Sequence, residues 1–255
     1  NRAENLVPIP KTYKRIFDDH LYGIKYITQE QSKFIELKKE DPIIFEKPYI
    51  FVNGPAGSGK TLMMYARILK LLECMGEDEQ ILMLLPWEDA AERFMEIVKK
   101  FDDSVTMKKI DLAGDIRRHK RKPNLTAIFS DMMKGCSEKV VIFVRPNFLH
   151  RNFASYDLLC SMHECFLRIL KDKKWYIFCD DFHSSFANAM KQNNNSDGTM
   201  QSLADFLFDL LSNDINDSDQ KPRSLWISCD LMQTIQHGFW GNDVLYKKTF
   251  NHLFE

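Results

Sequence analysis

Short apolar runs alternate along the chain with stretches that repeat apolar residues at the spacing of an amphipathic helix. Apolar runs of this length, bounded by turn residues, are typical of strands that are buried on both faces. Because parallel strands need crossovers between them, the alternation predicts an α/β three-layer sandwich with a mainly parallel central sheet and helices on both faces. The predicted strands are 48–53, 81–86, 140–146, 174–181 and 224–230, and the predicted helices are 62–75, 87–101 and 153–171.

Three stretches stand outside this alternation. Residues 28–40 precede the first strand and begin with Thr28, a favoured N-cap, so they predict a short helix. Residues 108–122 hold seven basic and two acidic residues, and residues 191–223 are rich in Asn, Asp and Ser. We interpret both as polar surface loops. The predicted divisions are an N-terminal segment at 1–47, one domain at 48–255 and insertions at about 102–135 and 191–223.

The composition is that of a globular protein, with 44% hydrophobic and 28% charged residues and a net charge of −1. No run approaches the roughly 18 apolar residues of a membrane span, so no membrane partner is expected. The N-terminus lacks the apolar core of a signal peptide, which indicates an intracellular protein, cytoplasmic or nuclear. The missing initiator Met and the end at Glu255 without a polar tail indicate a piece of a longer chain.

The six cysteines form no CxxC pair and no disulfide framework, so reduced thiols are expected. Cys160, His163 and Cys165 admit a second interpretation as a zinc cluster. Their helical surroundings and the lack of a second ligand pair favour an ordinary helix.

The stretch between the first strand and its helix carries the strongest chemical signal. It matches the pattern GxxxxGK[ST] in full, after an apolar strand and at the start of a helix. Glycines let backbone N–H groups approach phosphate oxygens at a helix N-terminus, whose dipole also favours an anion. The pattern predicts a phosphate-binding loop, and a chance glycine turn is the alternative. Its residues are Gly54, Pro55, Ala56, Gly57, Ser58, Gly59, Lys60 and Thr61.

Two acids end the apolar run at 174–181, where open α/β sheets place their ligands. Asp180 is the candidate Walker B acid, which binds Mg²⁺ together with the Thr61 hydroxyl. Asp181 is a candidate to polarise the attacking water. The alternative is that both acids cap the next helix.

Three further elements occur in a fixed order around these motifs. Tyr26–Gln31 precedes the phosphate-binding loop as a Q-type adenine motif does, Leu84–Trp87 occupies the place of motif Ia, and Ser228–Gln233 is similar to the GDxxQ element of motif III. Together the set resembles the first RecA-like domain of superfamily 1 helicases, including the helicase-like modules of Schlafen-type proteins. The resemblance covers about residues 25–240.

The resemblance implies ATP and Mg²⁺ as cofactors and a role for each matching residue. Gln31 would bind the adenine edge, Lys60 the phosphates, Thr61 and Asp180 the metal, Asp181 would be the catalytic base, and Gln233 would sense the γ-phosphate. An exposed helix residue is the alternative for Gln31, and a polar residue beyond a strand end is the alternative for Gln233.

The sequence departs from the family pattern at the second acid of motif II. Asp181 and Phe182 stand where the family usually has glutamate and a variable residue. Aspartate is one methylene shorter, so its reach to the attacking water is shorter. The family also needs a second RecA-like domain, which is a predicted partner downstream of this one. This domain is therefore expected to bind ATP better than it hydrolyses ATP.

Three functions remain open from the sequence. The first is an ATP-dependent motor acting on single- or double-stranded nucleic acid. In that case residues 108–122 and the aromatic Trp87 would contact the nucleic-acid strand by charge and stacking. Against it, a net charge of −1 lacks the basic excess of a nucleic-acid binder. The second is a regulatory ATP-dependent switch in a multidomain protein. The third is a small-molecule or nucleotide kinase, which is disfavoured because 191–223 holds a single arginine, Arg223.

Overall fold

The computed structural model describes residues 6–17, 26–38, 49–85, 87–111, 136–144, 174–181 and 224–229. In chain order the strands are β1 (Leu6–Pro8), β2 (Tyr26–Thr28), β3 (Tyr49–Asn53), β4 (Glu79–Leu85), β5 (Met107–Asp111), β6 (Val140–Val144), β7 (Lys174–Cys179) and β8 (Ser224–Cys229). The helices are α1 (Lys11–Phe17), α2 (Gln29–Glu36), α3 (Lys60–Cys74) and α4 (Glu88–Phe101).

Six of these strands form one sheet in the order β3-β8-β7-β4-β6-β5, and every neighbouring pair is parallel. The five predicted strands are confirmed, each within two residues of its expected bounds. The register pairs Asn53 with Cys229 and Cys179 with Ile227, so β3, β8 and β7 end at the same edge of the sheet. The strand bearing the phosphate-binding loop and the strand ending at Asp180 therefore share that edge, with β8 between them.

Side chains on both faces of the sheet are buried. In β4, Ile81, Met83 and Leu85 belong to the large core cluster, while Leu82 and Leu84 point to the other face and are each about 1% exposed. A parallel sheet covered on both faces agrees with the predicted α/β three-layer architecture.

Helices α3 and α4 pack side by side and contact the sheet. Most residues of α3 between Met63 and Leu71 are buried, so α3 is surrounded by protein rather than lying on the surface. Helix α4 buries one face through Ala91, Phe94, Ile97 and Val98. The Tyr65 and Phe94 rings, 5.0 Å apart, join the two helices.

The N-terminal segment shares this core where the structure describes it. β1 and β2 pair antiparallel, and the predicted helix after Thr28 is confirmed as α2. Helix α2 packs against α3, where the buried Arg67 guanidinium donates a hydrogen bond to the Leu37 carbonyl. Phe34 of α2 meets Trp226 of β8 edge to face, with ring centres 6.1 Å apart. The helix that bears the Q-type motif is thereby fixed to the helix that follows the phosphate-binding loop.

The prediction of a surface loop at 108–122 is wrong for its first four residues. Met107–Asp111 forms β5, the strand next to β6. Ile110 is buried, and the Lys109 ammonium lies 2.8 Å from Glu88 and 3.5 Å from Glu92 of α4. Lysines are tolerated on outer strands of a sheet, and here carboxylates from a neighbouring helix balance the charge. The rest of this basic stretch, 112–122, lies outside the described residues.

None of the helices within the described ranges is long and apolar enough to cross a membrane.

We expect Phe94→Ala to lower the free energy of unfolding by about 3–5 kcal/mol, because it empties a fully buried ring site between α3 and α4. Urea denaturation followed by circular dichroism measures the change. Glu96→Ala, on the exposed face of the same helix, is the control and should stay within about 0.5 kcal/mol of the parent. Equal stabilities of the two variants would contradict this packing.

Candidate functional site

The phosphate-binding loop joins β3 to α3 at the carboxyl edge of the sheet. Gly57 and Gly59 have positive φ angles of 77° and 83°, a left-handed conformation that L side chains rarely adopt. Gly59 is the N-cap of α3, so its conformation turns the chain from the loop into the helix. Pro55 and Ala56 are exposed at the tip of the loop, which leaves the backbone open to a ligand.

Gly54 allows the close approach that the loop requires. A Cβ atom on Gly54 would lie 2.7 Å from the Ser58 hydroxyl oxygen, closer than van der Waals contact permits. The Ser58 hydroxyl is itself buried and makes no hydrogen bond within the described residues. The two ends of the loop are therefore packed against each other, and a side chain at Gly54 would displace the Ser58 hydroxyl.

The Lys60 ammonium is held by the loop that precedes it. Its Nζ donates to the Gly54 carbonyl at 2.6 Å and to the Pro55 carbonyl at 2.9 Å. A cation in this position lies over the N-terminus of α3, where an anion is favoured. The geometry fits a lysine that exchanges carbonyl oxygens for phosphate oxygens when a ligand enters.

Thr61 and Asp180 bring the phosphate-binding loop and the end of β7 together. The Thr61 hydroxyl lies 3.0 Å from Asp180 Oδ2 and 3.2 Å from Oδ1. Asp180 is 5% exposed, and its N–H donates to the Leu84 carbonyl of β4. Hard oxygen donors are the ligands that Mg²⁺ prefers, and two adjacent ligands of an octahedral Mg²⁺ lie about 3 Å apart. The donor set and its spacing therefore fit the predicted metal.

Within the described residues no cluster of three or more His, Cys, Asp or Glu side chains has the arrangement of a metal site. Magnesium at a nucleotide needs no such cluster, because water and phosphate supply most of its ligands.

Ser228 contacts both acids from the neighbouring strand. Its hydroxyl, fully buried, donates to Asp180 Oδ1 at 2.6 Å and accepts from the Asp181 N–H at 3.1 Å. Asp181 follows β7 with a φ of 52°, the left-handed region that Asp and Asn enter more readily than most residues. Ser228 thus holds the side chain of Asp180 and the backbone of Asp181 in place.

Tyr65 is a second contributor that the sequence did not reveal. It lies one helical turn after Thr61 on α3, and burial raises the pKa of its phenol above the usual value. The nearby Asp180 carboxylate raises that pKa further, while Arg93 opposes the shift. Tyr65 and Asp180 are both buried, so the phenol stays neutral and little water screens the attraction of the carboxylate for a cation.

Gln31 lies against the phosphate-binding loop. Its Oε1 accepts from the Thr28 N–H at 2.9 Å, and the Thr28 hydroxyl accepts from the Gln31 N–H, which completes a capping box. Its Nε2 donates to the Ser58 carbonyl at 3.0 Å. Gln31 is therefore at the loop, as the Q-type motif requires, and its contact with adenine stays a prediction.

Several predicted elements lie outside the described residues. They are Gln233, Asp230, Pro86, the helix after Asp181, the helix at 153–171 with Cys160, His163 and Cys165, and residues 191–223. Two residues with a clear place in the geometry, Ser228 and Tyr65, had no role assigned from the sequence. Ser228 could have been found as a polar residue near the end of an apolar strand. Tyr65 could have been found from its position four residues after Thr61 on the same helix.

Comparison with known proteins yields one family. No curated protein matches the chain. The family model described as type III restriction enzyme, res subunit, matches residues 24–207, which include the Q-type motif, the phosphate-binding loop and both acids. Because the match spans more than half of the chain, the chain belongs to this family of helicase-like P-loop NTPases with a RecA-like fold.

Proposed function

We propose that this chain is an ATP-binding and ATP-hydrolysing helicase-like motor domain that acts on nucleic acid. Its family groups ATPase motors that act on nucleic acid. The observation that carries the proposal is the contact of 3.0 Å between Thr61 and Asp180. It joins a complete phosphate-binding loop to an acid at the carboxyl end of a nearby parallel strand, as a nucleotide with a divalent metal requires.

The residues of the loop would bind the triphosphate. Backbone N–H groups between Gly54 and Thr61 bind phosphate oxygens, and Lys60 leaves the loop carbonyls to contact the β- and γ-phosphates. Thr61 and Asp180 hold Mg²⁺, which when bound neutralises the charge that develops on the phosphates.

The hydrolytic step would depend on Asp181. Its carboxylate orients and deprotonates the attacking water, and Gln233 senses the γ-phosphate. Ser228 serves as a positioning residue, because it holds the Asp181 backbone and the Asp180 carboxylate through one hydroxyl. Within the helicase-like proteins, we propose that the chain belongs to superfamily 1 or to the Schlafen-type proteins, because its motifs follow one another in the order found there. This grouping includes a second RecA-like domain as a partner.

The nucleic acid would contact the same edge of the sheet beside the nucleotide. Trp87 follows β4 at that edge and is 48% exposed, although large aromatic rings are usually buried. An exposed indole at the carboxyl edge of the sheet is suited to stack on an unpaired base.

The second candidate function is a regulatory ATP-dependent switch without unwinding activity. Asp181 favours it, because its side chain is shorter than the glutamate of the family pattern. A switch would bind ATP through the same loop and would hydrolyse it slowly. Stimulation of hydrolysis by nucleic acid distinguishes the motor from the switch.

Lys60→Ala should weaken ATP binding in the presence of Mg²⁺ by roughly 10- to 100-fold, because it removes a charge-assisted contact with the phosphates. Isothermal titration calorimetry measures the affinity. Lys70→Ala is the control, since Lys70 lies on the same helix and pairs with Glu73 at the surface. ATP affinity that is the same in both variants would refute the assignment of the loop.

Asp181→Asn should lower the rate of ATP hydrolysis by at least about 10-fold and leave ATP affinity nearly unchanged, because the amide cannot accept the proton. Asn tolerates the left-handed backbone at this position, so the geometry should be retained. The rate is measured by phosphate release from the full-length protein with nucleic acid present. The control is Asp103→Asn, a change at an exposed position. If Asp181→Asn hydrolyses ATP at the rate of the parent, Asp181 is not the catalytic base.

Trp87→Ala should weaken the binding of a single-stranded oligonucleotide by at least about 5-fold, since stacking on one base contributes roughly 1–3 kcal/mol. Trp87→Phe should retain most of the affinity, because a smaller ring still stacks. Fluorescence anisotropy measures both, with Tyr26→Ala as a control that removes an aromatic ring of similar exposure, 56%, from β2. Equal affinities of Trp87→Ala and the parent would show that Trp87 does not contact the nucleic acid.

A further inference from the structure

Gln31 joins two parts of the chain that are distant in the sequence. It lies in the first turn of α2, and its side chain is half-buried against the phosphate-binding loop. Its Nε2 atom donates to the Ser58 carbonyl at 3.0 Å, across 27 residues of chain. The same atom lies 3.6 Å from the place where a Cβ atom on Gly59 would be. The amide therefore rests on the peptide that joins Ser58 to Gly59.

The capping box fixes the direction in which the amide of Gln31 points. Its Oε1 accepts from the Thr28 N–H at 2.9 Å, so the oxygen faces the start of the helix. The nitrogen then faces the Ser58 carbonyl, to which it donates. A flipped amide would place a donor against the N–H and an acceptor against the carbonyl, and both hydrogen bonds would be lost. The cap of α2 thus directs this side chain to the loop.

The peptide that Gln31 contacts is one that the backbone alone would hold weakly. On one side of it, the Ser58 N–H donates to the Pro55 carbonyl at 3.2 Å. On the other side, the Gly59 carbonyl accepts from the Met63 N–H at 2.9 Å. The peptide between them can turn over by rotation about ψ of Ser58 and φ of Gly59, and glycine offers little resistance to that rotation. The hydrogen bond from Gln31 therefore selects one orientation of this peptide.

The orientation of this peptide decides which of its groups faces the phosphates. A trans peptide directs its carbonyl and its N–H to opposite sides. Because the Ser58 carbonyl is turned to Gln31, the Gly59 N–H points away from α2, and it makes no hydrogen bond within the described part of the chain. It lies at the N-terminus of α3, where N–H groups bind phosphate. In the opposite orientation a carbonyl oxygen would face the phosphates and repel them.

We propose that Gln31 is a positioning residue for the phosphates, which holds the Gly59 N–H toward them whatever base the nucleotide carries. This inference rests on the proposed binding of a nucleotide at the loop. A glutamine that recognises adenine uses both polar atoms of its amide at once. In this chain one of the two atoms is engaged with Thr28 and the other with Ser58. The contribution of Gln31 to binding is therefore the same for adenine, for guanine and for a ligand without a base.

Two substitutions separate the contact with the loop from the cap of α2. Gln31→Ala removes both hydrogen bonds of the amide. Gln31→Glu keeps an oxygen for the Thr28 N–H, since glutamate also completes a capping box, but its second oxygen faces the Ser58 carbonyl. Lys33→Gln is the control, because it changes the net charge by the same amount as Gln31→Glu at an exposed position of α2. Thermal unfolding shows whether each variant is folded, and Gln31→Glu alone decides the outcome if Gln31→Ala is not.

Calorimetry in the presence of Mg²⁺ compares ATP, GTP and inorganic tripolyphosphate, which carries no base. We expect Gln31→Ala to weaken the binding of all three by the same factor, about 3- to 10-fold, as for the loss of one neutral hydrogen bond. Gln31→Glu should weaken them at least as much, and Lys33→Gln by less than about 2-fold, because its charge is screened by solvent. A loss of affinity for ATP alone would show that Gln31 recognises adenine and would overturn the inference.

The peptide itself can be observed without a nucleotide. Ser58–Gly59 is the only Ser-Gly step in the sequence, so serine labelled with ¹³C at the carbonyl and glycine labelled with ¹⁵N give one correlated NMR signal, from this peptide. The chemical shift of a carbonyl carbon changes when the carbonyl loses a hydrogen bond. The signal should therefore move in both Gln31 variants and stay in place in Lys33→Gln. An unchanged signal in both Gln31 variants would overturn the inference.

The outcomes distinguish this inference from the function on which it rests. If the parent binds none of the three ligands, the proposed nucleotide site fails and the inference falls with it. If the parent binds them and the two Gln31 variants bind them equally well, the nucleotide site stands and only the inference is overturned.

Discussion

The buried carboxylate of Asp180 is the constraint around which the rest of the site is arranged. A carboxylate taken out of water is costly unless it is paired with donors or a cation. Here the Thr61 and Ser228 hydroxyls contact it from two different elements, and the backbone of β4 holds its N–H. Three strands and the first turn of α3 must therefore be in register before this charge is satisfied. The fold and the site are stabilised by the same contacts.

Much of the fold followed from the sequence because the central strands are apolar on both faces. Ile81–Leu85 and Val140–Val144 contain only apolar residues. Short runs of this kind indicate strands that are buried on both faces. The phosphate-binding loop was equally predictable, since the loop conformation demands glycine at fixed positions. The helix after Thr28 followed from its cap. These signals are local, and local signals can be recognised within one stretch of chain.

What the sequence did not reveal depends on contacts between distant stretches. β5 was missed because Lys108 and Lys109 break its apolar pattern, and the carboxylates that balance Lys109 come from α4. The role of Ser228 depends on the pairing of β7 with β8, which brings it to Asp181, 47 residues away along the chain. Tyr65 looked like one more core residue of an apolar helix until its position near Asp180 was known. In each case the role of the residue depends on its partner in a distant part of the chain, and the residue's own surroundings in the sequence do not show that partner.

The left-handed backbone at Asp181 limits which amino acids this position can accept during evolution. Gly, Asn and Asp enter that region at low cost, whereas β-branched side chains are strongly disfavoured there. A glutamate would gain reach but would incur the backbone strain that Asp and Asn largely avoid. As long as Ser228 holds this turn, a longer acid would have to evolve together with a change in the end of β8. The choice of carboxylate at position 181 is thus tied to a serine on another strand.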